Sequence, residues 1–184
     1  MFEHRSSSPP NSPMFSIHSA TAQDEPFLWD MLAVAAHMDE AGERPDSAKT
    51  NPFLSRYVSH WGKSGDVGCI ACLLEYPHRQ IAAAWCRLLP PMDNQLGYVS
   101  ADIPELAIAT IPEFQGQGAG SAVLHALIDA ARDRYSGLSL NVRIGNPALR
   151  LYERFGFRII PDSNVINRVG GQSMTMALIF HDTN

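Results

Sequence analysis

One stretch constrains the fold of this chain more than any other. "IPELAIATI", residues 103–111, is an apolar run broken by the single carboxylate of Glu105. "PEFQGQGAGS" follows, with glycines at 116, 118 and 120. Val123, Leu124, Leu127, Ile128 and Ala131 then recur at helical spacing, and Gly137 stops the pattern. "LSLNV" is a second buried strand. A strand, a helix and a strand in such close succession make a β-α-β unit with parallel strands. A strand that is apolar on both faces belongs in the middle of a sheet covered on both sides. The chain is thereby committed to a helix-flanked sheet with this unit at its centre.

The remaining segments assemble around that unit. "FSIHSAT" reads as a strand, and "TAQDEPFLWDMLAVAAHM" as a helix with Asp24 as its cap and Pro26 in its first turn. A shorter helix runs from Asn51-Pro52 to Gly62. Strands at 67–74 and 80–89 are joined by the hairpin turn "EYPHRQ". "NPALRLYERF" is a short helix, and "GFRII" and "SMTMALIF" are final strands joined by the arm "PDSNVINRVGGQ". The expected architecture is an α/β fold with a mixed sheet of about six to seven strands, flanked by helices. It occupies one domain, residues 14–184, after a Ser- and Pro-rich tail over residues 1–13 that reads as disordered.

Composition narrows the function. Nineteen acidic against 14 basic side chains give a formal charge of −5, without the basic footprint of a nucleic-acid binder. No apolar run approaches the roughly 20 residues of a membrane helix, and the opening "MFEHRSSSPPNSP" has no apolar signal core, so the reading is a cytoplasmic protein with no membrane partner. The three cysteines have no framework spacing. "CIAC", residues 69–72, lies on a strand, which turns its two thiols to opposite faces and makes them small buried hydrophobes instead of a redox or zinc pair. His37, His60, His78 and His125 are scattered, and no metal is expected.

The glycine loop carries the chemistry. The first amides of a helix lack intrahelical partners, and the helix dipole is positive there. Glycines allow unusual backbone angles and remove obstructing side chains. Such a junction is an anion cradle suited to a phosphate or pyrophosphate. The P-loop pattern fails for want of its Lys, and the dinucleotide fingerprint fails because the spacing is G-x-G-x-G in a late β-α-β unit. A plain turn and a different phosphate ligand remain open on these residues alone.

Two motifs in order give a resemblance. "IPEFQGQGAGSAVL" resembles the acetyl-CoA signature of the GNAT superfamily of N-acetyltransferases, matched by Gln115, Gly118 and Gly120. "NPALRLYERFGF", residues 146–157, is similar to the superfamily's downstream N-x-x-A-x-x-x-Y-x-x-x-G-F pattern, with one residue of slack. The resemblance implies that the backbone of Gln115, Gly116, Gln117, Gly118, Ala119, Gly120 and Ser121 holds the CoA pyrophosphate. It implies that Ile108, Ala109, Thr110 and Ile111 pair their main chain with the amide-rich pantetheine arm, in a gap that a bulge opens between the two parallel strands. Asn146 is implied to bond the cofactor, and it reads equally well as a helix cap before Pro147.

Direct acetyl transfer from acetyl-CoA to a primary amine of a small molecule or peptide is the implied reaction. The amine must lose a proton, since an alkyl ammonium has a pKa of about 10. Glu105, isolated in an apolar strand, is the candidate base, and Tyr152 the candidate acid for the departing thiolate. Asp39, Glu40, Glu43, Asp46, Asp93 and Asp102 read either as an acidic acceptor mouth or as solvated loop charges. The alternative function is a non-catalytic acyl-CoA-binding sensor of the same fold. The resemblance leaves a homodimer open, and nothing in the sequence fixes an interface.

Overall fold

In a computed structural model the chain is described over residues 14–91 and 97–180. The expected tail, residues 1–13, and Asp93 lie outside the described residues. Among the described residues eight strands form one sheet: β1 (Phe15–Ser19), β2 (Val67–Leu73), β3 (Gln80–Arg87), β4 (Glu105–Thr110), β5 (Gly137–Arg143), β6 (Arg158–Ile159), β7 (Val165–Ile166) and β8 (Gln172–Ile179). Among the described residues four α-helices accompany them: α1 (Glu25–Ala35), α2 (Pro52–Ser55), α3 (Ala119–Arg132) and α4 (Leu149–Arg154). The strand order is β1-β2-β3-β4-β5-β8-β6, with β7 pairing β8. Only β4 and β5 are parallel, and the apolar β4 sits mid-sheet, as its two-faced apolarity requires. The strand beyond the expected number is β7, two residues inside the arm that precedes β8.

The sheet separates two cores. On one face α3 lays Val123, Leu124, Leu127, Ile128 and Ala131 against Ala82, Ala84, Leu106, Leu138 and Leu140. On the other, Leu28, Met31, Leu32 and Trp61 pack against Ile70, Ala83, Trp85 and Ala109. The consecutive alanines of β3 let both layers come close to the sheet. Strand alternation sends Cys69 into the first core and Cys72 into the second, and all three cysteines are free and buried.

Two local expectations change. The second helix was expected to reach Gly62, and α2 stops at Ser55. Asn51 caps it as expected, its side chain accepting from the amides of Phe53 and Leu54 at 2.9 and 3.2 Å. Beyond α2 the carbonyls of Arg56, Ser59 and His60 turn to the buried guanidinium of Arg87 at 2.9, 3.0 and 3.4 Å, so they are not available to a continuing helix. His60 takes a positive φ of 57° there. Asp24 precedes α1 without capping it through its side chain. Its carboxylate instead accepts from the Thr21 amide at 2.7 Å and from Gln80 Nε2 at 2.6 Å, closing the single 3-10 turn before α1 and tying it to β3.

Candidate active site

The central parallel strands touch at one point. Glu105 and Ser139 are the sole register pair of β4 and β5, and the Ser139 amide donates to the Pro104 carbonyl at 3.0 Å. Beyond that point β4 pairs only with β3 and β5 only with β8. A wedge therefore opens toward the C-terminal ends of both strands. The bulge expected to open it is absent from β4, whose ladder with β3 runs from Glu105 to Thr110 without a shift. The recorded register break is in β2, between Ala71 and Cys72. Divergence of two intact strands makes the gap.

Backbone alternation decides which groups line it. Ile111 N–H donates to Ile81 O on β3 at 2.9 Å. Main-chain groups alternate sides along a strand, so Ala109 also serves β3, whereas Leu106, Ile108 and Thr110 turn theirs to the wedge. Of the four strand residues singled out from sequence, Ile108 and Thr110 thus present main-chain donors and acceptors to the gap. The Thr110 carbonyl accepts from Gln115 Nε2 at 3.2 Å, which braces the following loop.

The loop is a 3-10 turn, Pro112–Phe114, followed by Gly116 at φ 74° and Gly118 at φ 90°. A Cβ at either glycine would meet nothing within 4 Å, so glycine is there for its backbone angle and the space above the loop is open. Gly120 serves another purpose: a Cβ there would come 3.1 Å from Thr110 Oγ1, so it lets α3 approach β4. The Ala122 amide closes the first helical turn onto Gly118 O at 3.0 Å, and Gly118 offers no side-chain cap. The amides of Ala119, Gly120 and Ser121 are thus the orphan donors of a 14-residue helix, at its positive end. Gln117 steadies the loop by donating to Glu113 O at 3.0 Å. An open donor cradle beside an unpaired strand edge fits a pyrophosphate carrying an amide-bearing arm.

Asn146 is partly buried where the chain leaves β5. Its Oδ1 accepts from the Ala148 amide at 2.8 Å and its carbonyl from Leu149 N at 3.0 Å. It thus closes the turn before α4, whose own cap position is Ala148.

Glu105 opens β4 at the apex of the wedge and is 3% exposed. Alternation puts it on the α1 side of the sheet with Ala107 and Ala109. The Tyr57 hydroxyl donates to its Oε1. Gly97, at φ 96°, lies so near that a Cβ there would overlap the Glu105 carboxyl. Burial, then the Glu105 charge and hydrogen bond, hold the Tyr57 phenol well above its usual pKa, so it stays a donor. Tyr152 lies on the other side, in the α3 core, edge-on to Phe157 with ring centroids 6.0 Å apart. Burial pushes its phenol up to about 12. The structure therefore places the two candidate catalytic groups on opposite faces of the sheet, and the wedge is the passage between those faces.

The expected acidic mouth is largely neutralised. Glu40 meets His37 and Arg143, each at 2.9 Å. Glu43 pairs with Arg168, which also donates to Ala36 O at 3.0 Å. Asp46 pairs with Lys49 at 3.0 Å. Asp102 accepts from Ser100 at 2.5 Å and from Ser136, close to the end of α3. The segment after α1 is thus fastened to β5 and to the arm before β8. Sequence reasoning did not single out Tyr57, nor the polar stripe of Ser139, Asn141 and Arg143 that β5 presents on the Glu105 side. The stripe was visible as alternation in "LSLNVR". Tyr57 gave no signal, since its partner is 48 positions away. Among the described residues no group of three His, Cys, Asp or Glu side chains is arranged to hold a metal, and no helix is long and apolar enough to cross a membrane.

Comparisons with known proteins bear on the family and the fold. Residues 28–157 match the model of the acetyltransferase (GNAT) family. Among solved structures, the ribosomal-protein-S18-alanine N-acetyltransferase of Escherichia coli is similar, with a TM-score of 0.63 and 23% identity over 93% of this chain and 97% of that one. An acetyltransferase from Salmonella typhimurium, solved with acetyl-CoA, gives 0.61 at 16% identity over 92% and 95%. A spermidine N-acetyltransferase chimera from Vibrio cholerae and hSSAT gives 0.58 at 18% identity over 90% and 95%. These identities show a shared fold. No curated protein sequence matches the chain. The family model covers well over half of the residues and includes β4, the glycine loop, α3, β5 and α4, so the chain belongs to the acetyltransferase (GNAT) family.

Proposed function

We propose that the protein transfers an acetyl group from acetyl-CoA to a primary amine of a small molecule or peptide by direct attack. The observation that carries this reading is the wedge: an unpaired β4 edge that leads from the orphan amides of α3 to a buried carboxylate. Acetyl-CoA supplies an activated acyl thioester when bound. The backbone of Gln115 to Ser121 would hold its pyrophosphate, the main chain of Ile108 and Thr110 its pantetheine amides, and Asn146 a further polar group. From Thr110 to Glu105 the strand runs about 16 Å at about 3.3 Å per residue, a span suited to an extended arm.

Glu105 takes the proton that the amine loses as its nitrogen bonds to the acyl carbon. The Tyr152 phenol, protonated at every physiological pH, gives a proton to the sulfur as the carbon–sulfur bond breaks. The pairing of Glu40, Glu43 and Asp46 with cations supports an acceptor with one reacting amine on a polar framework over a polycation.

Thiol release from acetyl-CoA with a panel of peptides, amino acids, amino sugars and polyamines tests the reading. Glu105→Gln should lower kcat by about 10²- to 10⁴-fold while CoA affinity stays unchanged. CoA binding without turnover of any acceptor would instead make the protein an acyl-CoA-binding module.

A further inference from the structure

We infer that Tyr57 is a positioning residue of the site, its hydroxyl favouring the ionised form of the buried Glu105 carboxylate and fixing it toward the wedge. The inference rests on the reading of Glu105 as the base, and it starts from a conflict in that reading. At 3% exposure Glu105 has lost most of its water, which favours the neutral acid. A neutral acid accepts no proton from an amine.

Among the described residues, two cations near the carboxylate are committed to other groups. Arg87 is its register partner on β3, yet its guanidinium is committed to Asp66 at 2.6 and 2.7 Å and to three carbonyls. Arg56, beside Tyr57, donates to the Pro90 carbonyl. The β5 register partner is the uncharged Ser139. Gly97 packs on the carboxyl without a side chain. The Tyr57 hydroxyl donates to Oε1.

A hydrogen bond to the ionised form favours that form and fixes the rotamer. Tyr57 keeps its own proton throughout, and the proton from the amine goes to Glu105. The segment that carries Tyr57 is itself anchored, since Asn51 caps α2 and Trp85 Nε1 donates to the Tyr57 carbonyl at 3.1 Å.

The test is a carbon-13 titration of carboxyl-labelled glutamate in the full chain, with the Glu105 signal assigned by its loss in Glu105→Gln. In Tyr57→Phe the Glu105 midpoint should move up by about one pH unit, because the hydrogen bond favouring the charged form is gone. Turnover should then fall about tenfold on the acidic limb and little on the plateau. A purely structural role would lower turnover equally at all pH values and leave the midpoint in place. An unmoved or lowered midpoint overturns the inference. If Tyr57→Phe does not fold, 3-fluorotyrosine at position 57 keeps the hydroxyl as a stronger donor and should move the midpoint down, and an unmoved midpoint again overturns it. If Glu105→Gln retains full turnover, the base assignment fails, whatever the midpoint shows for Tyr57.

Discussion

Arg87 and Asp66 form an ion pair 2.6 Å apart with side chains only 7% and 3% exposed. The pair joins the end of β3 to the loop before β2, and the Arg87 guanidinium also lies over the Trp61 ring, 5.4 Å from its centroid. Burial raises the Asp66 carboxyl, but Arg87 and the amides of Gly62 and Lys63 outweigh it and hold the group below its usual value. Asp66→Ala should cost about 3 kcal/mol, the low end for a broken buried pair, because Arg87 keeps its carbonyl acceptors. For a chain of this size that is a fall in Tm of roughly 6–12 °C, read by thermal unfolding. A folded pKa below the unfolded one stabilises above the unfolded value and loses that contribution as pH falls through the folded value. The difference between Asp66→Ala and the unchanged protein should therefore shrink below about pH 4.

The glycine loop separates strain from ligand binding. Gly118→Ala and Gly42→Ala both force a positive φ, 90° and 67°, with nothing within 4 Å of the added carbon. Each should cost about 1–2 kcal/mol of stability. Only Gly118→Ala should also weaken CoA binding, measured by calorimetry, since only it precedes the orphan amides of α3. Equal CoA affinity in the two variants would remove the loop from the cofactor site.

Tyr152→Phe isolates the proposed acid. A phenol held at about 12 stays protonated up to that pH, so no basic limb below pH 11 belongs to Tyr152. The variant should lower kcat by about 10²-fold, within the range of general acid catalysis, and leave any basic limb where it was. A basic limb that disappears in Tyr152→Phe would contradict the burial of this ring.

The cysteines should be silent in the folded protein. Burial pushes the Cys69 thiol to about 11 and also raises Cys72 and Cys86. Labelling by a thiolate-seeking reagent at pH 8 should therefore follow the rate of unfolding. Fast labelling of Cys69 or Cys72 without denaturant would show that the β2 layer opens.

Much of this was legible because it depends on near neighbours. The apolar run of β4, the stripe of α3 and the proline and glycines that separate them fix the strand–loop–helix unit locally. Glu105 stood out because a carboxylate in such a strand has few harmless places to go. The end of α2 was not legible: its length is limited by Arg87, which draws three carbonyls from a strand that comes later in the chain. Asp24 was misjudged for the same reason, since Gln80 competes for its carboxylate. The acidic residues after α1 looked like a charged mouth until Arg143 and Arg168 arrived from the far end of the sequence.

The single β4–β5 pairing has one more consequence. Exposed sheet edges invite other chains to add strands, and proteins usually blunt them with charge, proline or cover. Here the two half-sheets turn raw edges toward each other inside the molecule, hinged at the Glu105–Ser139 pair, where the Ser139 amide donates to the Pro104 carbonyl. An edge kept indoors is screened from aggregation by the layers above and below it. It stays available to a guest thin enough to enter lengthwise, and the sheet is whole only while such a guest is in place.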